Sequence, residues 1–335
     1  MKALPLIGRL SRWLLPLIVL LAVAQAGRSY IGQVWHGPGP LSQNTTFVVP
    51  HGTTAIVGRA LHDAGIIDGA LAFRVAENLT DSDGALHAGE FAFPARASLA
   101  DVFQVLRHGR QVEHHLTIPE GLTARDIAAL INQAPAMTGQ VAPPAEGAVL
   151  PNTYDYLYGA ARPLLLKRAE RALDVALARA WPDRAANLPL SSPEEAVILA
   201  SIVERETAKP EERPLVAAVY LNRLRLGMKL QADPTVIFGL SDGSGVIGQP
   251  LTHADLLTPS AYNTYLNTGL PPGPIAAPGI ASILAVLHPA DSDALYFVAD
   301  GTGGHVFSHS YKGQRHNIAK LRALDAERQD AVERN

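Results

Sequence analysis

Two glutamates stand two residues apart in Ile-Leu-Ala-Ser-Ile-Val-Glu-Arg-Glu-Thr, residues 198–207, and they are the chain's foremost candidates for proton-transfer chemistry. On a helical wheel Leu199, Ile202 and Val203 form one apolar stripe, and Glu206 falls on it. Glu204 falls well away, beside Ala200, Ser201, Thr207 and Ala208, small neighbours that let a bulky ligand reach its carboxylate. Each glutamate has a chemical argument. Glu204 has access, whereas burial of Glu206 would raise its pKa, as a general acid requires. The plain alternative is one solvated helix residue and one buried partner of an arginine. Pattern alone does not choose among these.

Further polar residues follow. Leu215, Ala218, Val219 and Leu226 share a helix face with Asn222 in its middle. A buried amide needs partners, so Asn222 either ties helices together, the more ordinary role, or shapes a site. Gln231-Ala232-Asp233-Pro234-Thr235 reads as a polar turn ahead of a β-type run at 236–238. Asp233 before Pro234 is ordinary turn chemistry, and it is equally suited to hold a sugar hydroxyl. Tyr262-Asn263-Thr264-Tyr265 alternates aromatic and polar groups, and a tyrosine offers a flat apolar face together with a hydroxyl. The rigid loop Gly-Leu-Pro-Pro-Gly-Pro-Ile, 269–275, can form a wall. Each piece is weak alone. Together they describe a groove with one or two carboxylates and few other titratable groups.

Composition removes competing classes. The 28 Lys and Arg against 31 Asp and Glu give a net charge of -3, so no basic footprint points to nucleic acid. The 12 histidines are scattered without an HExxH or a close His/Asp/Glu cluster, so no metal site is expected, and nothing signals a cofactor. Without cysteine there is no disulfide, thiol nucleophile or thiolate metal site.

The elements that must position these residues form an α+β chain with a membrane segment in front. Lys2, Arg9 and Arg12 precede an apolar run at 13–26. That length suits a signal-peptide core, and Ala24-Gln25-Ala26 resembles a cleavage site. The rival is a helix extended to Val34 that stays as an anchor, with Arg28 reaching the headgroups. In both cases the positive charges keep the N-terminus in the cytoplasm and the remainder is exported. His36-Gly37-Pro38-Gly39-Pro40 then breaks the helix. Three segments follow with one pattern, a short β-type run, a turn, a Ser or Thr N-cap and a helix; the helices are expected at 55–64, 99–106 and 124–131. Prolines 135, 143 and 144 mark a connection. Beyond it, helices are expected at 164–181, 194–207, 211–226 and Ile280–Leu287, then strands at 294–299 and His305–Ser308 and a charged helix at about 317–328. Gly227 is a natural helix stop.

Several stretches carry a resemblance. Ala-Ser-Ile-Val-Glu-Arg-Glu-Thr (200–207), Glu-Arg-Pro-Leu-Val-Ala-Ala-Val-Tyr-Leu-Asn-Arg-Leu (212–224) and Gly-Met-Lys-Leu-Gln-Ala-Asp-Pro-Thr-Val-Ile-Phe-Gly (227–239) resemble the YceG-like endolytic murein transglycosylases. So do Tyr-Asn-Thr-Tyr (262–265), Gly-Leu-Pro-Pro-Gly-Pro-Ile-Ala-Ala-Pro-Gly (269–279) and Leu-Tyr-Phe-Val-Ala-Asp-Gly-Thr-Gly-Gly-His-Val-Phe (295–307), in order over 147–320. The N-terminal half is similar in layout, with Ile-Pro-Glu-Gly-Leu-Thr (118–123) its clearest piece. The resemblance implies a cytoplasmic tail (1–12), a retained membrane anchor (13–34), a linker (35–46), a LysM-like α+β module (47–134), a second linker (135–146) and a mostly helical α+β catalytic domain (147–328).

It further implies an enzyme of the bacterial inner membrane, single-pass, with its catalytic domain in the periplasm. Its action would be a lyase-type cut of the MurNAc-β-1,4-GlcNAc bond that leaves 1,6-anhydroMurNAc ends and terminates nascent strands. The first glutamate of Val-Glu-x-Glu-Thr, here Glu204, would act as general acid and then base. Asn222, Gln231, Asp233, Thr235, Tyr262, Asn263 and Thr264 become candidate substrate contacts, and peptidoglycan synthases become expected partners. A hydrolysing muramidase and a non-catalytic glycan-binding scaffold are the alternatives. Leu-Pro-Asn-Thr-Tyr (150–154) departs from the family's Pro-Asp-Thr-Tyr at Asn152, and the loop 241–249 is individual to this chain.

Overall fold

The computed structural model describes residues 7–333, so the first six residues of the expected tail lie outside the described part. Its contacts form two compact units. One extends to His114 and includes Leu157–Gly159, and the other holds His115–Tyr156 and the chain from Ala160 onward.

The first unit opens with helix α1 (Ile7–His36), longer than either reading of the apolar run. Its stretch Leu15–His36, 22 residues, is long and apolar enough to cross a membrane, and none of it is buried. Gly37 ends it by donating its N–H to the Gln33 carbonyl at 2.7 Å. Strand β1 (Thr45–Val49), helices α2 (Thr54–Asp63) and α3 (Ala70–Thr80), strand β2 (Gly89–Phe93) and helix α4 (Leu99–His108) follow. β1 and β2 pair antiparallel with Phe47 opposite Phe91. Phe73, Phe91, Phe93 and Phe103 fill the core, and Phe73 stacks on Phe103 with centroids 4.7 Å apart. The expected Ser98 cap is a full capping box with Asp101, whereas Thr53 stands at the N-cap of α2 without a side-chain bond. Helix α3 was not among the expected elements; it buries only Phe73 and Ala76, too narrow a stripe to announce itself.

The second unit takes up the chain within strand β3 (Glu113–Thr117) and continues with helix α5 (Ala124–Gln133) and the short strand β4 (Met137–Thr138). Strands β5 (Thr153–Leu157) and β6 (Ala160–Ala161) pair with β3 and β4 respectively. Helix α5, grouped by sequence with the N-terminal module, packs Ile127 and Ile131 against Val149, Tyr154 and Leu165 of this unit. Helices α6 (Arg162–Ala180), α7 (Pro193–Glu206), α8 (Arg213–Arg225), α9 (Asp233–Leu240), α10 (His253–Leu256) and α11 (Ile280–Leu287) come next. The hairpin β7 (Tyr296–Ala299) and β8 (His305–Ser308) and helix α12 (Tyr311–Glu333) close the unit.

Leu199, Ile202 and Val203 of α7 are fully buried in one cluster with Val216 and Tyr220 of α8 and Ile283 and Val286 of α11. Truncating Leu199 to alanine would cost about 2–5 kcal/mol. Residues 236–238, expected as a β-type run, lie in α9. Pro234 at its first turn is pre-organised for a helix start, and tertiary burial of Val236 and Phe238 outweighs their β preference.

Candidate active site

Burial of the apolar stripe fixes the rotation of α7, and that rotation aims its last two glutamates differently. Ser192 starts the helix by accepting the Glu195 N–H, and Pro193 occupies the first turn. The Glu204 side chain is only 5% exposed, and both of its oxygens are engaged. Its Oε1 accepts from Arg213 Nη2 at 2.9 Å, and its Oε2 accepts from the Gly279 N–H at 2.9 Å.

Arg213 is the first residue of α8, and the turn before it is tied down. Glu212 accepts from the Thr207 hydroxyl at 3.1 Å, the His305 N–H at 2.9 Å and His305 Nδ1 at 2.7 Å. These bonds pull the Glu212 pKa down against the opposing effect of burial. The same Arg213 nitrogen donates to Glu120 Oε2 at 3.2 Å. Glu120 stands in the turn before α5, where Gly121 takes φ of 77°, a conformation that glycine adopts without steric cost. Gly121 N–H donates to the Ala277 carbonyl at 2.9 Å and Ala277 N–H to the Leu122 carbonyl at 2.8 Å. Gly279 also has a steric role, since a Cβ there would overlap the Glu120 carboxylate. Glu120, Glu204, Glu206 and Arg213 line a surface pocket of 400 Å³.

Glu206 turns toward the α8 side, where the Tyr220 hydroxyl donates to its Oε1 at 2.6 Å. Burial pushes its pKa up to about 7; the Asp233 charge adds to this, while the Tyr220 bond and Arg223 oppose it. Tyr220 itself is pushed well up by burial and by the Glu206 charge. Asp233 accepts from the Tyr265 hydroxyl at 2.6 Å. Two acidic centres therefore leave one helix end, the first paired to a cation and the second desolvated.

The other expected contacts divide. Asn222 gives both amide hydrogens to the Ser292 and Ala294 carbonyls and accepts from Arg225, so it is the tie between helix and loop and not a wall of the pocket. Asn263 is buried, donating to the Leu256 and Thr258 carbonyls and accepting from Tyr265 N–H. Thr235 and Thr264 are buried with their hydroxyls 2.9 Å apart, out of reach of a polymer. The polar side chain of each of these four is engaged by a backbone or side-chain partner. Gln231 (φ 51°) and Asp233 are exposed, and Tyr262 is half-buried with its ring tilted on Phe238. Asn152 accepts the next residue's N–H at 2.7 Å, and its carbonyl accepts from Ile118 N–H.

Sequence reasoning did not single out Glu120 or Arg213. The signal available was the pair of charged residues inside Ile-Pro-Glu-Gly-Leu-Thr and Glu-Arg-Pro-Leu-Val. The individual loop at 241–249 contributes as well: Arg205 donates to the carbonyls of Gly245 and Gly121, each at 3.2 Å. Among the described residues, no group of three or more His, Asp or Glu is arranged to hold a metal ion.

The model of the YceG-like family matches residues 47–320. An endolytic murein transglycosylase of Bacillus subtilis is 41% identical over 128 residues, 38% of this chain and 34% of that protein. One from Streptococcus pneumoniae is 28% identical over an alignment covering 93% of this chain and 66% of that protein. The chain thus matches only part of each of these relatives. A crystal structure of a yceG-like protein from Listeria monocytogenes superposes with a TM-score of 0.53 at 26% identity, covering 82% of this chain and 98% of that one.

Proposed function

The chain belongs to the YceG-like family, and from that premise we propose that it is an endolytic lytic transglycosylase of peptidoglycan, with Glu204 as general acid and then base. The acid form of Glu204 protonates the glycosidic oxygen between MurNAc and GlcNAc. The resulting carboxylate takes the proton from the muramyl 6-hydroxyl, whose oxygen closes onto C1 to leave a 1,6-anhydro end. No water is consumed. One carboxylate suffices because the nucleophile is part of the substrate and is held at high effective concentration.

The single observation that carries this reading is the pair of donors on Glu204. As Glu204 gives up its proton, negative charge develops on its two oxygens. Arg213 Nη2 and the Gly279 N–H already point at both of them. Donors fixed where charge develops favour the transition state over the ground state. The Glu206 carboxylate accepts instead from the Tyr220 hydroxyl, a partner that suits a protonated or shared state equally.

Glu120 favours a second reading, hydrolysis. It is a second carboxylate beside the first, and glycosidases that activate water use a pair of carboxylates. The LysM-like reading of the N-terminal module, the role in ending nascent strands and the partnership with peptidoglycan synthases rest on family resemblance. The apolar helix at Leu15–His36 supports a single-pass anchor with Lys2, Arg9 and Arg12 on the cytoplasmic side.

Digestion of purified sacculi by wild type, Glu204→Gln and Glu206→Gln tests the proposal by product mass. Anhydro ends, one water lighter than reducing ends, are expected from wild type and Glu206→Gln and none from Glu204→Gln. Reducing ends would establish the hydrolase instead. An active Glu204→Gln beside an inactive Glu206→Gln would reverse the assignment.

A further inference from the structure

We infer that Glu120 and Arg213 are a positioning pair for Glu204, in which Arg213 pairs with the Glu204 charge and Glu120 retains Arg213 when that charge is absent. This rests on the proposed role of Glu204. Both carboxylates accept from one guanidinium nitrogen, at 2.9 Å for Glu204 and 3.2 Å for Glu120. The catalytic cycle alternates Glu204 between a neutral acid and an anion. With Glu204 as its sole partner, Arg213, whose side chain is 11% exposed, would become an unpaired desolvated cation in every acid half-cycle. Glu120 removes that penalty. Its side chain is 41% exposed, so water reaches its carboxylate.

Three further observations point the same way. Gly279 supplies the second donor to Glu204, and its missing side chain is the space that the Glu120 carboxylate occupies. The left-handed Gly121 and its backbone pairing with residue 277 hold the Glu120 turn against that glycine. Arg213 Nε is buried with no hydrogen-bond partner, a cost that marks a residue kept for its charge and not for packing. The remaining charged groups of the pocket are Arg205, engaged by two backbone carbonyls, and Glu206, which turns to Tyr220.

Single-charge variants test the pair, using the purified full chain in detergent and a glycan-strand substrate. Glu120→Gln is expected to lower kcat by roughly 10- to 100-fold with KM unchanged, the cost of a misplaced catalytic group. The alkaline limb of its kcat profile should move down in pH, because removing a negative neighbour favours ionised Glu204. Arg213→Gln should lower kcat and move the same limb up, and Arg213→Lys should restore part of the activity. Opposite shifts from the two substitutions are not produced by loosened packing. Wild-type kcat and an unmoved limb in Glu120→Gln, or shifts in one direction for both variants, would overturn the inference. Should Arg213→Gln fail to melt cooperatively, Glu120→Gln and Arg213→Lys decide, each expected to lower kcat at unchanged KM. Activity in Glu204→Gln would sink the underlying reading instead, whereas an inactive Glu204→Gln beside a fully active Glu120→Gln sinks the pair alone.

Discussion

Replacing Glu206 with glutamine should make the protein more stable at alkaline pH and leave it unchanged in acid. The folded chain holds the Glu206 proton with a pKa of about 7, lifted first by burial, against an ordinary value of 4.5. The unfolded chain releases that proton near the ordinary value. Between the two, the folded state binds more protons than the unfolded state, so stability falls as pH rises. The slope approaches about 1.4 kcal/mol per pH unit, and the accumulated loss above the window is on the order of 3 kcal/mol. Glutamine keeps the shape and still accepts from the Tyr220 hydroxyl, so the variant escapes the loss. Thermal melts of wild type and Glu206→Gln at pH 4.5, 6 and 8 provide the assay. Melting temperatures should coincide at pH 4.5 and differ by several degrees in favour of the variant at pH 8, given about 2–4 °C per kcal/mol for domains of this size. Every other titrating group is common to both proteins, so the difference isolates this residue. A pH-independent difference, or a more stable wild type at pH 8, would refute the assignment of Glu206 as a desolvated carboxyl.

Other perturbations separate structural from chemical roles. Gly279→Ala suits its backbone of φ -70° but sends a methyl into the Glu120 carboxylate, so cleavage should fall roughly tenfold or more while the melt moves by about 1 kcal/mol or less; undiminished cleavage would show that Glu120 has other room. Asn263→Ala orphans the Leu256 and Thr258 carbonyls and should cost about 1–3 kcal/mol in denaturant unfolding. Ser98→Ala removes the capping box of α4 and should cost about 1 kcal/mol, read as faster amide exchange in its first turn. Membranes from expressing cells should retain the full chain through a high-salt wash and release it only to detergent; release by salt would argue against insertion of Leu15–His36.

What the sequence disclosed was whatever depends on near neighbours. Helix Ile280–Leu287 and strand His305–Ser308 have the bounds that periodicity assigns, and Gly227 stops its helix with φ of 63°. The wheel that placed Glu206 on the apolar stripe anticipated its desolvation. Helix α9 was hidden by β-branched residues whose preference tertiary burial overrides. The aromatic-polar alternation at 262–265 could not disclose that Asn263 and Thr264 point inward, because a residue that binds backbone carbonyls and one that binds a sugar look alike in a string of letters. Glu120 and Arg213 stayed invisible for a different reason: Glu120 lies some way back in the chain from Arg213, and the Arg213–Glu204 pairing depends on how the turn between α7 and α8 folds. The resemblance supplied the Glu204 assignment, which residue pattern alone left open.

The backbone pairing of Gly121 with Ala277 has a consequence during synthesis. It joins the early turn that carries Glu120 to the strap that carries Gly279, so the pocket is a contact of high sequence separation and pays its loop-closure entropy late. A nascent chain that has emerged only as far as α8 has Glu120, Glu204 and Arg213 but lacks Gly279, the second donor to Glu204. Ribosomal products that stop short of Gly279 therefore carry the acid without its cradle. Under the proposed function, cleavage requires synthesis to pass residue 279, because until then Glu204 lacks its second donor.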